Sequence, residues 1–251
     1  MCYIISFTAK VFLTWKANKE SYPGVFFNAP GFLYNREVKA TIGIDEVGRG
    51  PIAGPVAVGA FLVLEDSLKE DIEKFGVPLR DSKQLSSVQR EAWYKEIECW
   101  QNEGKCDFSV VMVPASEIDS HGISKAIKRA LAETLEMIEC DTSHLILLDG
   151  SLHAPNRFVQ QITIIKGDEK EPVISLASIV AKVTRDRHMV KLHERYPQYG
   201  FDQHKGYGTE EHYIAIKKHG LTPLHRKSFL KDLPEIRRDK RFLSKLRQKR
   251  K

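Results

Sequence analysis

The sequence is short of the features that mark several protein classes. It has four cysteines, Cys2, Cys99, Cys106 and Cys140, and they form no C-x-x-C pair and no pattern with nearby histidines. Spacing therefore argues against a zinc ribbon or a disulfide framework, and reduced thiols in a cytoplasmic protein are expected. There is no G-x-x-x-x-G-K-[ST] phosphate loop, no G-x-S-x-G elbow and no internal repeat, which removes P-loop and α/β-hydrolase chemistry. Long apolar runs are missing too. Met1 to Ala9 is apolar but has no basic flank or clear cleavage site, and the uncharged stretch Ser21 to Asn35 is broken by Pro23, Gly24, Pro30 and Gly31. Neither a signal peptide nor a membrane span is expected.

What remains is the composition of a globular protein, 42% hydrophobic and 29% charged, with one main domain expected from 251 residues. The formal charge of +6 is unevenly spread: Arg237 to Lys251 holds nine Lys/Arg against Asp239, a local +8 that leaves −2 for everything before it. A tail of this kind attracts polyphosphate through counterion release, as a duplex clamp or a partner-binding arm, or is a solvated or frayed terminus. We expect an irregular extension over 1–38, a main domain over 39–230 whose last part, from about 195, is helical, and a basic tail over 231–251.

Thr41 to Ile44 reads as a strand, Gly48-Arg49-Gly50-Pro51 as a turn and Pro55 to Leu64 as a long apolar strand. Ser86 to Gln89 resembles a capping box, and the apolar spacing behind it predicts a helix over 87–100. Asp107 to Val113 reads as a third strand. One long helix is expected after Pro114, with Ile123, Ile127, Ala130, Leu131, Leu135 and Ile138 as its stripe. Leu145 to Leu148 is a buried strand ending at Asp149, and Gln161 to Lys166 is another. A helix from about Ile174 to Arg195 places Asp186 on the face of Ile179, Val183 and Val190, and Thr209 caps a last helix that Gly220 stops. Strands in series followed by alternating strands and helices predict an α/β fold, a mixed central sheet flanked by helices.

Asp45 and Glu46 follow one strand, Asp149 ends another, and Asp186 sits on the inward helix face. A buried group of carboxylates is untenable unless cations neutralise it, and oxygen-only donors favour Mg2+ or Mn2+ over Zn2+. Two such ions roughly 3.5 to 4 Å apart support phosphodiester hydrolysis. On position alone the same residues also read as ordinary strand-end groups, with Asp186 paired to Arg185 or Arg187.

The wording around them is more specific. Gly43-Ile44-Asp45-Glu46-Val47-Gly48-Arg49-Gly50-Pro51 resembles the G-x-D-E-V-G-R-G-P signature of the ribonuclease HII family. Asp81-Ser82-Lys83, Leu148-Asp149-Gly150, Lys166-Gly167-Asp168, Ala177 to Asp186, and Tyr196 to Gly200 through His204 to Tyr207 match further motifs in that family's order. The resemblance implies a ribonuclease H-like sheet with a small helical C-terminal part. It also implies an endonuclease cutting the RNA strand of RNA–DNA hybrids and incising at ribonucleotides embedded in duplex DNA, leaving 3′-hydroxyl and 5′-phosphate ends.

By that resemblance Asp45, Glu46, Asp149 and Asp186 hold the Mn2+ or Mg2+ ions. Lys182, a turn before Asp186, balances their charge or is an exposed helix lysine. Gly48, Arg49 and Gly50 read the ribose 2′-hydroxyl, and Tyr207 packs beneath the neighbouring sugar. His204, Lys205, His225, Arg226 and Lys227 are candidates for phosphate contacts, and Asp81, Lys83, Lys166 and Asp168 for support of the site. The partners expected are the hybrid and ribonucleotide-containing duplexes, with no membrane, a monomeric state and a replication clamp or other partner at the basic tail.

Other readings are weaker. Gly48 to Ala53 fits a dinucleotide fingerprint, but Asp45 and Glu46 would repel a pyrophosphate and the chain continues as strand. A non-catalytic nucleic-acid binder would use the tail and Arg49. The related ribonuclease HIII family carries an N-terminal substrate-binding domain, for which about 38 leading residues look too short.

Overall fold

A computed structural model describes residues 40–230, so the expected extension and basic tail lie outside the described residues. Five strands, β1 (Thr41–Val47), β2 (Val56–Val63), β3 (Cys106–Val113), β4 (Leu145–Asp149) and β5 (Gln161–Ile164), form one sheet in the order β3-β2-β1-β4-β5. The β1–β2 and β2–β3 pairs are antiparallel, while β4 runs parallel to β1 and β5 to β4. The chain places β1, β2 and β3 side by side as an antiparallel half, and it reaches β4, the parallel neighbour of β1, by a crossover through the segment 114–144. Val56–Val63 is strand and not helix, which disposes of the dinucleotide reading.

The helices are α1 (Leu68–Lys74), α2 (Ser87–Asn102), α3 (Ala115–His121), α4 (Ile123–Met137), α5 (Gly167–Lys170), α6 (Pro172–Arg195), α7 (Phe201–His204) and α8 (Glu210–His219). Ser86 and Gln89 close the capping box of α2, and Thr209 caps α8, which ends at Gly220. The single helix expected after Pro114 is two, because Gly122 takes φ +84° and breaks the ladder between α3 and α4. Helix α1 was not expected: Leu68 is its one buried residue, too little for a periodic signal.

Side chains alternate along the strands, so the sheet has two apolar faces. Ile42, Ile44, Val58, Ala60, Ile146 and Leu148 pack against α3 and α4. Phe61 and Leu147 pack with Trp93 of α2 and with Ile174, Ala177 and Val180 of α6. A third cluster joins Ile52 and Ala53 to Met189 and Leu192 of α6, and to Tyr199, Phe201 and Ile216 beyond it. Val190 is 40% exposed and does not belong to the inward face of α6, where Met189 and Leu192 take that place. Counting i, i+3/i+4 steps misses this because the C-terminal segments also pack on the end of α6, through Met189 and Leu192.

Candidate active site

Asp45 and Asp149 meet through strand register. The last pairing of the parallel β1–β4 ladder is Ile44 with Leu148, so the next residue on each strand is an aspartate. Asp45 and Glu46 thus lie within β1, opposite Gly59 and Val58 of β2, and not after it as the sequence suggested. Alternation turns Asp45 and Asp149 towards α6 and Glu46 towards the other face. Helix α6 comes down onto β1 because position 43 is glycine: a Cβ there would stand 2.2 Å from the carbonyl oxygen of Val173.

Close approach of α6 puts Ser178 on Asp45. Its hydroxyl is near enough to the Asp45 carboxylate to favour the ionised form, and its Oγ lies 2.8 Å from that of Ser82. The Glu46 amide donates to Asp45 Oδ1 at 2.7 Å. Asp149 Oδ1 accepts from the amides of Gly167 at 2.7 Å and Asp168 at 3.4 Å. Lys83 Nζ bridges Asp168 at 3.3 Å and Asp81 at 3.8 Å, which brings that segment against the acidic group.

Burial pushes the pKa of Asp45 from 3.8 to about 8; the Ser178 hydroxyl opposes the shift, and the charges of Glu46 and Asp149 add to it. Burial also raises Glu46, against the pull of Arg49 and with a further push from Asp149. The neighbouring carboxylates make Asp45 and Glu46 harder to ionise, and a hard cation among them would reverse that sign. The donors are all oxygen, which fits Mg2+ or Mn2+.

Asp186 is paired with basic side chains. Its Oδ1 accepts from Lys182 Nζ at 2.8 Å, and Arg90 Nη2 lies 4.0 Å from Oδ2. The Lys182 side chain is only 16% exposed, so it is not a solvated helix lysine. Arg185 donates to the carbonyls of Pro55 and Ala53, and Arg187 pairs with Glu91, so neither is the partner of Asp186. Among the described residues no group of three or more His, Cys, Asp or Glu is set to hold a metal ion, the group of Asp45, Glu46 and Asp149 included.

Beyond β1 the chain turns at Gly48, φ +87°, and Arg49 lays Nη1 3.4 Å from Glu46 Oε1. The amides of Ile52 and Ala53 donate to the carbonyl of Gly206 at 2.9 and 3.2 Å. This fastens the glycine turn to the Tyr207 segment, and a Cβ on Gly50 would stand 4.0 Å from Tyr207 Cε1. Tyr207 keeps 43% of its surface exposed beside the turn.

The family model described as ribonuclease HII matches residues 42–232. The chain belongs to the ribonuclease HII family. It is accordingly a ribonuclease H-type hydrolase, an endonuclease for the RNA strand of RNA–DNA hybrids. A ribonuclease HII of Bacillus cereus (strain B4264) is 41% identical over 233 residues, covering 89% of this chain and 85% of the relative. The structure of the PCNA:RNase HII complex from Archaeoglobus fulgidus aligns with a TM-score of 0.59 at 24% identity, covering 74% of this chain and 93% of that one. Bst-RNase HIII in complex with Mn2+ aligns with a TM-score of 0.52 at 18% identity, covering 76% and 64%. At these identities the two structures speak for the ribonuclease H-like fold alone.

Within this ribonuclease HII fold several expected phosphate contacts have other partners. His225 and Arg226 are 1% and 0% exposed, so they are corrected from surface contacts to interior groups bonded to backbone. His204 uses both ring nitrogens internally, with Tyr199 O at 2.6 Å and Gly206 N at 3.1 Å. The Lys205 ammonium folds back on the carbonyl of Asp202, and Lys227 is exposed. Sequence reading gave Ser178 no role of its own, although it lies in the Ala177 to Asp186 motif. It also missed His212, which carries no local signal.

Proposed function

We propose that this ribonuclease HII incises duplex DNA on the 5′ side of an embedded ribonucleotide, as well as hybrid RNA, leaving 3′-hydroxyl and 5′-phosphate ends. The observation that carries the reading is the meeting of Asp45, Glu46 and Asp149 at one sheet end, with Gly50 and Tyr207 side by side next to it. Asp45, Glu46, Asp149 and, once released from Lys182, Asp186 are the residues that would hold the ions. Two divalent ions, Mg2+ or Mn2+, supply when bound the positive charge that activates water and stabilises the departing oxygen.

The chain's own residues supply the positioning. Ser178 and the Glu46 amide fix the Asp45 carboxylate, and the Gly167 amide fixes that of Asp149, so the acidic group is preorganised. Gly48, Arg49 and Gly50 present backbone to a 2′-hydroxyl, and the exposed Tyr207 ring offers a face for the adjoining deoxyribose. Arg49, Lys182 and Lys205 take phosphates by exchanging their present partners, while His204 supports Tyr207 from below. Contacts of this kind read sugar and shape, so little base preference is expected.

The role we assign is the first nick in ribonucleotide excision repair, by a monomeric, cytoplasmic enzyme. The cysteine spacing, with no C-x-x-C pair, supports that compartment. No helix among the described residues is long and apolar enough to cross a membrane. A replication clamp or other partner at the basic tail is supported by the tail's charge. The deciding assay offers a DNA duplex with one ribonucleotide, with and without chelator, to the wild type and to Asp45→Asn. A chelator-sensitive nick, lost by at least about a thousandfold in the variant with binding retained, is expected. A chelator-resistant nick, or none, overturns the reading.

A further inference from the structure

The two segments proposed to read the sugar are gripped from beneath by side chains that no substrate reaches. Arg226 is fully buried and spends its guanidinium on three backbone carbonyls: Nε on Gly54 at 3.0 Å, Nη1 on Arg49 at 3.0 Å and Nη2 on Gly48 at 2.7 Å. A trans peptide carries its C=O and N–H on opposite sides. Drawing the Gly48 and Arg49 carbonyls inward therefore turns the amides of Arg49 and Gly50 outward. A buried guanidinium is costly to desolvate. Three charge-assisted bonds offset that cost only while the turn keeps this shape.

The preceding residue grips the other wall. His225 Nδ1 accepts from the Thr222 amide at 2.9 Å, so its proton is on Nε2, which lies 3.1 Å from Nε2 of His212. His212 must then accept there and carry its own proton on Nδ1, which it donates to the Tyr207 carbonyl at 2.8 Å. One set of tautomers satisfies every bond. The His204 ring stacks on His212 at 4.2 Å, and His225 pairs with Ala53 in an isolated bridge, with the Arg226 amide on the Ile52 carbonyl at 2.8 Å. Two consecutive residues thus connect the Gly48–Gly50 turn to Tyr207.

We propose that Arg226 and the His225–His212 pair are positioning residues for ribose selection, holding the Gly48–Gly50 backbone and Tyr207 at the one spacing that accepts a ribonucleotide. They act without touching the substrate, and the inference rests on the sugar-reading assignment made above.

Two variants test it. Arg226→Lys keeps a buried cation that cannot span three carbonyls, and His212→Phe keeps the ring stacking but loses the bond to Tyr207. Each is assayed for KM and kcat on a duplex with one ribonucleotide, and for binding to it relative to the all-DNA duplex of the same sequence. Expected is a KM raised by about tenfold with kcat within about threefold, and a binding preference that falls towards unity. Arg226→Met should lose more than Arg226→Lys. A purely structural role predicts a lower melting temperature with KM and preference unchanged in the folded fraction, and that result overturns the proposal. Should Arg226→Lys fail to fold, His212→Phe decides alone. If the wild type makes no nick at a ribonucleotide, the functional reading itself has failed; if it does and both variants keep its preference, only this inference has.

Discussion

Lys182 Nζ and Asp186 Oδ1 are 2.8 Å apart, one turn from each other on α6. The pair ties up a carboxylate that the proposed ion site needs, so ion and ammonium compete for it. Lys182→Met should tighten Mn2+ binding by about three- to tenfold, because it removes both the competitor and a nearby like charge. Calorimetric titration reads this directly. Unchanged or weaker binding would mean that Asp186 is not a ligand.

The elevated pKa of Asp45 makes stability depend on pH in chelator. Folded Asp45 holds its proton up to about pH 8, while in the unfolded chain the group releases it near 3.8. Between those values the native state binds the extra proton. Its stabilising effect is complete below about pH 4 and is lost as pH rises through 8. Asp45→Asn does not titrate, so its melting temperature should overtake that of the wild type between pH 5 and 9, by at most a few kcal/mol in stability. Added Mn2+ should close the gap.

The buried histidines give the opposite sign. Burial lowers His212 and His225 from 6.5 to about 4. On acidification the unfolded chain takes up protons first, so this contribution is intact above pH 6.5 and disappears as pH falls through about 4. Wild-type stability should drop by a few kcal/mol over that window. His212→Phe should show a shallower slope in urea melts at pH 7, 6, 5 and 4. Parallel slopes would place the acid sensitivity elsewhere.

Gly43→Ala tests the seat of α6. The new Cβ would stand 2.2 Å from the Val173 carbonyl oxygen, a backbone atom with little room to yield. A loss of at least about 2 kcal/mol is expected. kcat should fall with it, since α6 carries Ser178 onto Asp45. Wild-type kcat in a destabilised variant would show that the Ser178 contact is dispensable.

The strands and the capped helices were legible because their signals are local: alternation in Val56–Val63, a capping box at Ser86, a stop at Gly220. The break at Gly122 was not, since the apolar stripe runs on beyond it and glycine within a stripe is permitted. Arg226 shows the limit more sharply. In sequence it is one more basic residue in His225-Arg226-Lys227, and nothing nearby distinguishes the buried guanidinium from the exposed Lys227.

Residue types and spacing by themselves settled an α/β chain with acidic residues on or beside its strands and a glycine turn next to them, and the resemblance of its motifs pointed to the ribonuclease HII family. Those are properties of short segments. Which groups face one another was decided only by the fold. Parallel register sets Asp45 beside Asp149, and close packing over Gly43 lowers Ser178 onto Asp45. A contact across 178 residues joins Arg226 to Gly48. Burial, charge coupling and hydrogen bonding depend on distance in space, and sequence separation does not determine that distance until the sheet and α6 have closed.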